Sequence, residues 1–408
     1  MNLKKSITWA VTGLFVFASA LQAEEIKGDK NAGKTDARRL AKSGMADDGP
    51  TSTFFNINSW KIQMEHQGFF QWNGTSHGSA GNYPKGMGSV IFAEGILWGV
   101  KATDKYGVDA TTGEILTDGS GAGTPRVRVN GSMYNTGLKA GKVLRDANGV
   151  IKTKDYSENY RDQQIWRVRK DWNTGDLTVD ASILRDISVA DVTEAMITAD
   201  KAQYEKDWNN WPASEGAPYD DVDGDGVYTP GTWSSENNAW VGDVPGIPGA
   251  DQTIWTVAND LPDEYAEGGV VSVSEGGWGS PPVGFEMQLT LWGYDFPFSN
   301  PISSMMFKRA RMIYTGLPGG PADAKLDTVY FTQWSDPDLG TYTDDYVGAD
   351  TSLSLGYVYN GNTFDDQFLS SFGSPVPAGG YDFLEGPKVD VNGDGVLDTL
   401  GMTSFVYF

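Results

Sequence analysis

The sequence predicts a mainly β protein: antiparallel β-sandwich modules of jelly-roll type, with one helix and calcium-binding loops. Three observations lead there. Short aromatic or β-branched runs, such as Phe54-Phe55-Asn56-Ile57 and Trp60-Lys61-Ile62-Gln63-Met64, alternate with glycine-rich turns, the spacing of antiparallel strands in a sandwich or barrel. The 51 glycines and 14 tryptophans suit turns between strands and large aromatic cores. Two acidic stretches, 220–228 and 390–398, set oxygen side chains at alternate positions before a glycine that permits a sharp turn, the pattern that wraps a hard cation.

The N-terminus reads as a signal peptide over residues 1–23, with Lys4 and Lys5 before an apolar run from Ile7 to Phe17 and small residues through Ala23. That run is shorter than the ~20 residues that span a bilayer. A secreted or outer-surface location follows, with no transmembrane segment after cleavage. The chain carries 54 acidic against 31 basic residues, a formal charge of −23, which repels nucleic acid and anionic membranes. Cysteine is absent and only two histidines exist, His66 and His77, so no disulfide staples the fold and a histidine metal centre is not expected.

Residues 24–50 lack a hydrophobic period and read as a disordered lead-in. Residues 51–185 form a β-rich domain. It includes Gly95 to Val100 as a buried strand, a hairpin about Asp118 to Gly123, and Ile165 to Trp172 as an amphipathic strand whose Arg167 and Arg169 face water. Residues 186–262 hold the helix, over Val192 to Trp208. It is capped by Asp191 and Glu194 and expected to pack through Val192, Ala195, Met196, Ala199 and Ala202. The chain then crosses through Pro245 to Asp251. Residues 263–408 make a second sandwich from Val270 to Val273, Phe285 to Trp292, Met305 to Tyr314, Thr328 to Trp334, and a last strand-like run, Thr403 to Phe408.

In the first loop Asp221, Asp223 and Asp225 take liganding positions one, three and five, Val227 offers its carbonyl at seven, and Thr229 sits ninth. The twelfth residue is Thr232 rather than a bidentate acid, so Asp220, Asp243 or Asp251 must complete the sphere. The second loop offers Asp390, Asn392, Asp394, the Val396 carbonyl and Asp398, with Gly401 twelfth. A third acidic stretch, 336–350, has no such register, but turns can bring Asp338, Asp345 and Asp350 together. The loops lie too far apart for a dockerin pair. Gly74-Thr75-Ser76-His77-Gly78 matches G-x-S-x-G but lacks the strand and helix a nucleophile elbow requires.

Four segments carry a family resemblance: Pro84-Lys85-Gly86 to Trp98-Gly99-Val100, Trp211-Pro212 to Asp225-Gly226, Pro245 to Asp260, and Trp334-Ser335-Asp336-Pro337-Asp338 through Leu355 to Asn360. In these the chain resembles large, functionally uncharacterised secreted proteins of Bacteroidota-like and Ignavibacteria-like bacteria, many with a C-terminal type IX secretion sorting domain. The resemblance implies export, β-rich modules, calcium, and a full protein that continues past Phe408. Function is expected in a structural, adhesive or glycan-binding role on extracellular polysaccharide or cell-surface matrix. The competing class is a secreted polysaccharide hydrolase or lyase, recognisable by a cleft with two carboxylates lined by exposed tryptophan. A metal-dependent peptidase ranks below both.

Overall fold

A computed structural model describes residues 50–68, 70, 81–103, 125–132, 138–145, 151–152, 164–261, 283–317, 326 and 328–407. The signal peptide, the lead-in, the Asp118 hairpin, the G-x-S-x-G segment and the run Val270 to Val273 lie outside them. The fold is mainly β, and every paired strand is antiparallel.

The centre is the pair Gln252–Asn259 and Phe285–Gly293, the first flanked by Trp166–Arg169 and the second by Phe307–Tyr314. All eight residues of Gln252–Asn259 are buried, as befits a strand covered on both faces. A four-stranded sheet of Ser52–Phe55, Lys61–Glu65, Gly81–Asn82 and Ser89–Ile91 shares one core with it. Phe55, Ile62, Met64 and Ile91 pack in the same cluster as Ile254, Met287, Leu289 and Leu291. A third sheet sets Ala93–Thr103 between Thr328–Asp336 and Pro125–Gly131, and its Trp98 joins that cluster. Strands that the sequence assigns to separate segments are therefore hydrogen-bonded neighbours, Phe331 opposite Trp98 among them. A smaller sheet, Asp345–Asp350, Leu355–Asn360 and Gly379–Asp382, buries Val358.

Buried acids tie these layers. Glu94, fully buried, accepts from Lys308 Nζ at 2.7 Å and from Tyr381 Oη at 2.5 Å, joining three sheets. Asp260 accepts the backbone N–H groups of Val283, Gly284 and Phe285 at 2.8–2.9 Å. Burial still pushes its carboxyl upward, against those bonds.

Several expectations are corrected. Three α-helices are present among the described residues, at Thr178–Arg185, Glu194–Asn209 and Asp366–Phe372, rather than one. The long helix is capped by Thr193, whose side chain accepts from Met196 N, and Asp191 instead ends a separate 3-10 turn, Val189–Asp191. Its buried residues are Asp200, Tyr204, Asp207 and Trp208, while Ala195, Ala199 and Ala202 are exposed. Arg167 is buried rather than wet, because both helices cover its side of the strand. Asp180 of the first helix takes its guanidinium, with Tyr204 Oη and Asn56 Nδ2 also donating to Asp180 at 2.9 and 2.8 Å. Burial works against an ionised Asp180, and Arg167, Arg169 and Asn56 outweigh it, holding the carboxyl well below its ordinary range. Residues 403–407 form no strand.

Candidate functional site

The first acidic loop is built on a scaffold of tryptophans. Trp208, at the end of the long helix, stacks on Trp240 at 4.0 Å, and Trp172 and Trp233 pack on Trp240 from other sides. Two hydrogen bonds fasten loop to helix: Tyr228 Oη donates to the Trp208 carbonyl at 2.6 Å, and Trp208 Nε1 donates to the Gly231 carbonyl at 3.0 Å. The ribbon Tyr219–Asp220 with Val244–Pro245 closes the loop's base.

Within the loop, the Asp221 carboxylate spans the turn, accepting Gly224 N at 2.8 Å and Gly226 N at 2.9 Å. Asp223 accepts Asp225 N and Asp225 accepts Val227 N. Gly224 and Gly226 have φ of +74° and +75°, a region open to glycine and costly for other residues. The three aspartates each present an oxygen within 4.8 Å of the others. Among the described residues no other three acids, histidines or cysteines approach as closely, and none of the three aspartates pairs with a lysine or arginine.

The second loop repeats this set. Asp390 accepts Gly393 N at 2.6 Å and Gly395 N at 3.0 Å, Asn392 accepts Asp394 N, and Asp394 accepts Val396 N. Gly393 and Gly395 have φ of +78° and +86°. Val227 and Val396, at the carbonyl position, are 62% and 63% exposed, while Asp221 and Tyr228 are half-buried where Asp390 and Leu397 are exposed.

The remaining predicted residues fall in different places. Asp243 is buried beneath the first loop, holding Val222 N at 3.0 Å and Thr229 N at 2.7 Å; it braces the neck rather than joining the three converging carboxylates. Asp251 lies at the start of the central strand and accepts Asp295 N at 2.8 Å. Asp398 accepts Val391 N at 3.4 Å. In the third acidic stretch Asp350 turns onto Ser352 and Leu353 N, at the opposite end of its strand from Asp345. Burial first, then Asp336 and Asp345, push Asp338 up to about 7. Burial, then Asp344 and Asp365, push Asp345 up to about 6. Asp365, fully buried behind this turn, was not foreseen; it caps the helix Asp366–Phe372 and holds Thr341 N.

A cleft of about 310 Å³ opens between Asn58, Ser59 and Lys85 on one side and Asp295, Phe296 and Phe298 on the other. Among its described lining residues Asp295 is the single carboxylate, so these residues do not supply the acid pair of glycoside hydrolysis. Every tryptophan among the described residues is buried or half-buried. No described helix is long and apolar enough to cross a membrane. No protein-family model matches the chain, and no curated protein or solved structure matches it.

Proposed function

We propose that this chain is a secreted or cell-surface protein of calcium-stabilised β-sandwich modules, jelly-roll-like in arrangement, with a structural, adhesive or glycan-binding role. The observation that carries the calcium reading is the hydrogen-bond set shared by the two loops. In both, the first acid bridges the fourth and sixth N–H groups, and the third and fifth residues each hold the N–H two positions on. A carboxylate oxygen engaged with one N–H keeps a lone pair for a cation. Asp221, Asp223, Asp225, the Val227 carbonyl and Thr229 would hold one ion. Asp390, Asn392, Asp394, the Val396 carbonyl and Asp398 would hold the other.

A bound cation supplies charge to a cluster that has no basic side chain in it. In a chain without cysteine it also stiffens loops that no disulfide holds. The strongly negative charge favours uncharged extracellular partners, polysaccharide or matrix, over nucleic acid. Calorimetric titration of chelator-stripped protein with CaCl2 tests the metal: two sites are expected, falling to one in Asp223→Ala, which removes the third-position oxygen. Absence of uptake in the unsubstituted protein overturns the reading.

A further inference from the structure

The outer face of the small sheet has an order that follows from its register. Asp350, Leu355 and Asp382 stand in one row, Gly348, Tyr357 and Gly380 in the next, and Tyr346 beside Tyr359 in the third. Val358 and Tyr381 belong to the opposite face, where Val358 is buried and Tyr381 bonds to Glu94. The three tyrosines are 59%, 40% and 44% exposed for Tyr346, Tyr357 and Tyr359.

Their rings are nonetheless pinned. Tyr357 lies across Gly348, where an added Cβ would stand 2.5 Å from its Cζ, and Tyr346 lies across Gly361, whose Cβ would overlap its ring. Neighbouring rings sit 6.0 and 6.1 Å apart, with planes inclined by only 26° and 34°. The glycines thus let the rings lean over the backbone as one aromatic strip, pre-ordered before anything binds. Rigid tyrosines give contact area at little entropic cost.

We infer that the strip Tyr346, Tyr357 and Tyr359 binds a neutral polysaccharide by stacking pyranose rings. The inference rests on the glycan-binding part of the proposed function and assigns it a surface. Charge selects the occupant. Nucleobases also stack on such rings, but a chain of charge −23 repels polyanions, and Asp350 and Asp382 close one end of the strip with carboxylates. Hydrogen bonds from Ser352 hold the Asp350 carboxyl below its ordinary range, hence ionised. Those groups accept from sugar hydroxyls and exclude uronate or sulfated chains.

The test is retention of the whole protein, with calcium, on insoluble cellulose, chitin and mannan against an alginate gel, alongside Tyr357→Ala/Tyr359→Ala and Gly348→Ala. The expected result is retention on a neutral polymer and not on alginate, weakened about tenfold or more by the double substitution. Gly348→Ala, which keeps every ring but displaces Tyr357, also weakens it, and both variants still unfold cooperatively, with the small fall in melting temperature that lost cross-strand aromatic contacts bring. Retention that the variants leave intact overturns the strip while glycan binding stands. No retention on any neutral polymer overturns both. Equal retention on alginate overturns the charge argument. A dimer that the tyrosine substitutions dissolve assigns the face to a second copy of the chain and overturns the inference.

Discussion

Asp243 stands to the first loop as Asp398 stands to the second: each accepts the backbone N–H of its loop's second residue, Val222 at 3.0 Å and Val391 at 3.4 Å. In the second loop that acid is local, at the ninth position. In the first, Thr229 occupies the ninth position and the acid arrives from the returning strand, holding the Thr229 N–H as well. The first loop is thus locked to the ribbon behind it, and through Tyr228 and Trp208 to the long helix. It reads as a fastener, and its parts fail differently when removed.

Asp243→Ala leaves two N–H groups beneath the loop without their acceptor. Each such loss costs about 1–3 kcal/mol, so denaturant unfolding in chelator should show a loss of about 2–6 kcal/mol. Asp223→Asn, exposed and held by one N–H, should fall within about 0.5 kcal/mol of the parent under the same conditions. Equal losses would show that Asp243 has no special place.

Removing Arg167 takes its nearest cation from the buried Asp180 and leaves it Arg169 Nη1 at 3.4 Å. Breaking a buried pair costs about 3–5 kcal/mol, and Arg167→Met should lose that much in urea unfolding. The double variant Arg167→Met/Asp180→Leu should regain part of it, because the buried carboxylate left with Arg169 alone as its cation is gone. A double variant less stable than the single one would contradict this.

Asp207 gives a pH signature. Burial first, against the bonds from Arg167 N and Gln203, pushes its carboxyl from 3.8 up to about 7. The folded chain then binds the proton more tightly than the unfolded one. The contribution, about 4 kcal/mol at most, is present in full below pH 3.8 and is lost as pH rises to about 7. Asp207→Asn should remove that descending slope from stability measured between pH 4 and 7. An unchanged slope would show that another group sets it.

What the sequence made legible follows the range of the interaction involved. The acidic turns are local, so the N–H groups that Asp221 and Asp390 hold lie within five residues of each and are readable from their neighbours, and the same holds for strands such as Phe285–Gly293. Arg167 shows the limit. Its alternation with Trp166 and Val168 is visible, but whether its face meets water depends on helices that close over it from later in the chain. The helix Thr178–Arg185 was missed because Thr178 and Val179 are β-branched and the segment is short, while its Asp180 draws stability from Arg167 and Arg169. In the long helix, alanines at helical spacing suggested a buried stripe. The acids on the other face were the buried ones, paired with Arg185 and the Arg167 backbone. Tyr357 and Tyr359 read as strand residues; that they share an open face with Tyr346 depends on register across strands.

The central claim is that two calcium ions fasten these loops, and thermal unfolding in millimolar CaCl2 against excess EGTA tests it most directly. At free calcium one hundred times Kd, each site adds about 2.7 kcal/mol. The account predicts a melting temperature several degrees higher in calcium, with the difference abolished in Asp223→Ala/Asp394→Ala. The same melting temperature in both buffers would contradict it.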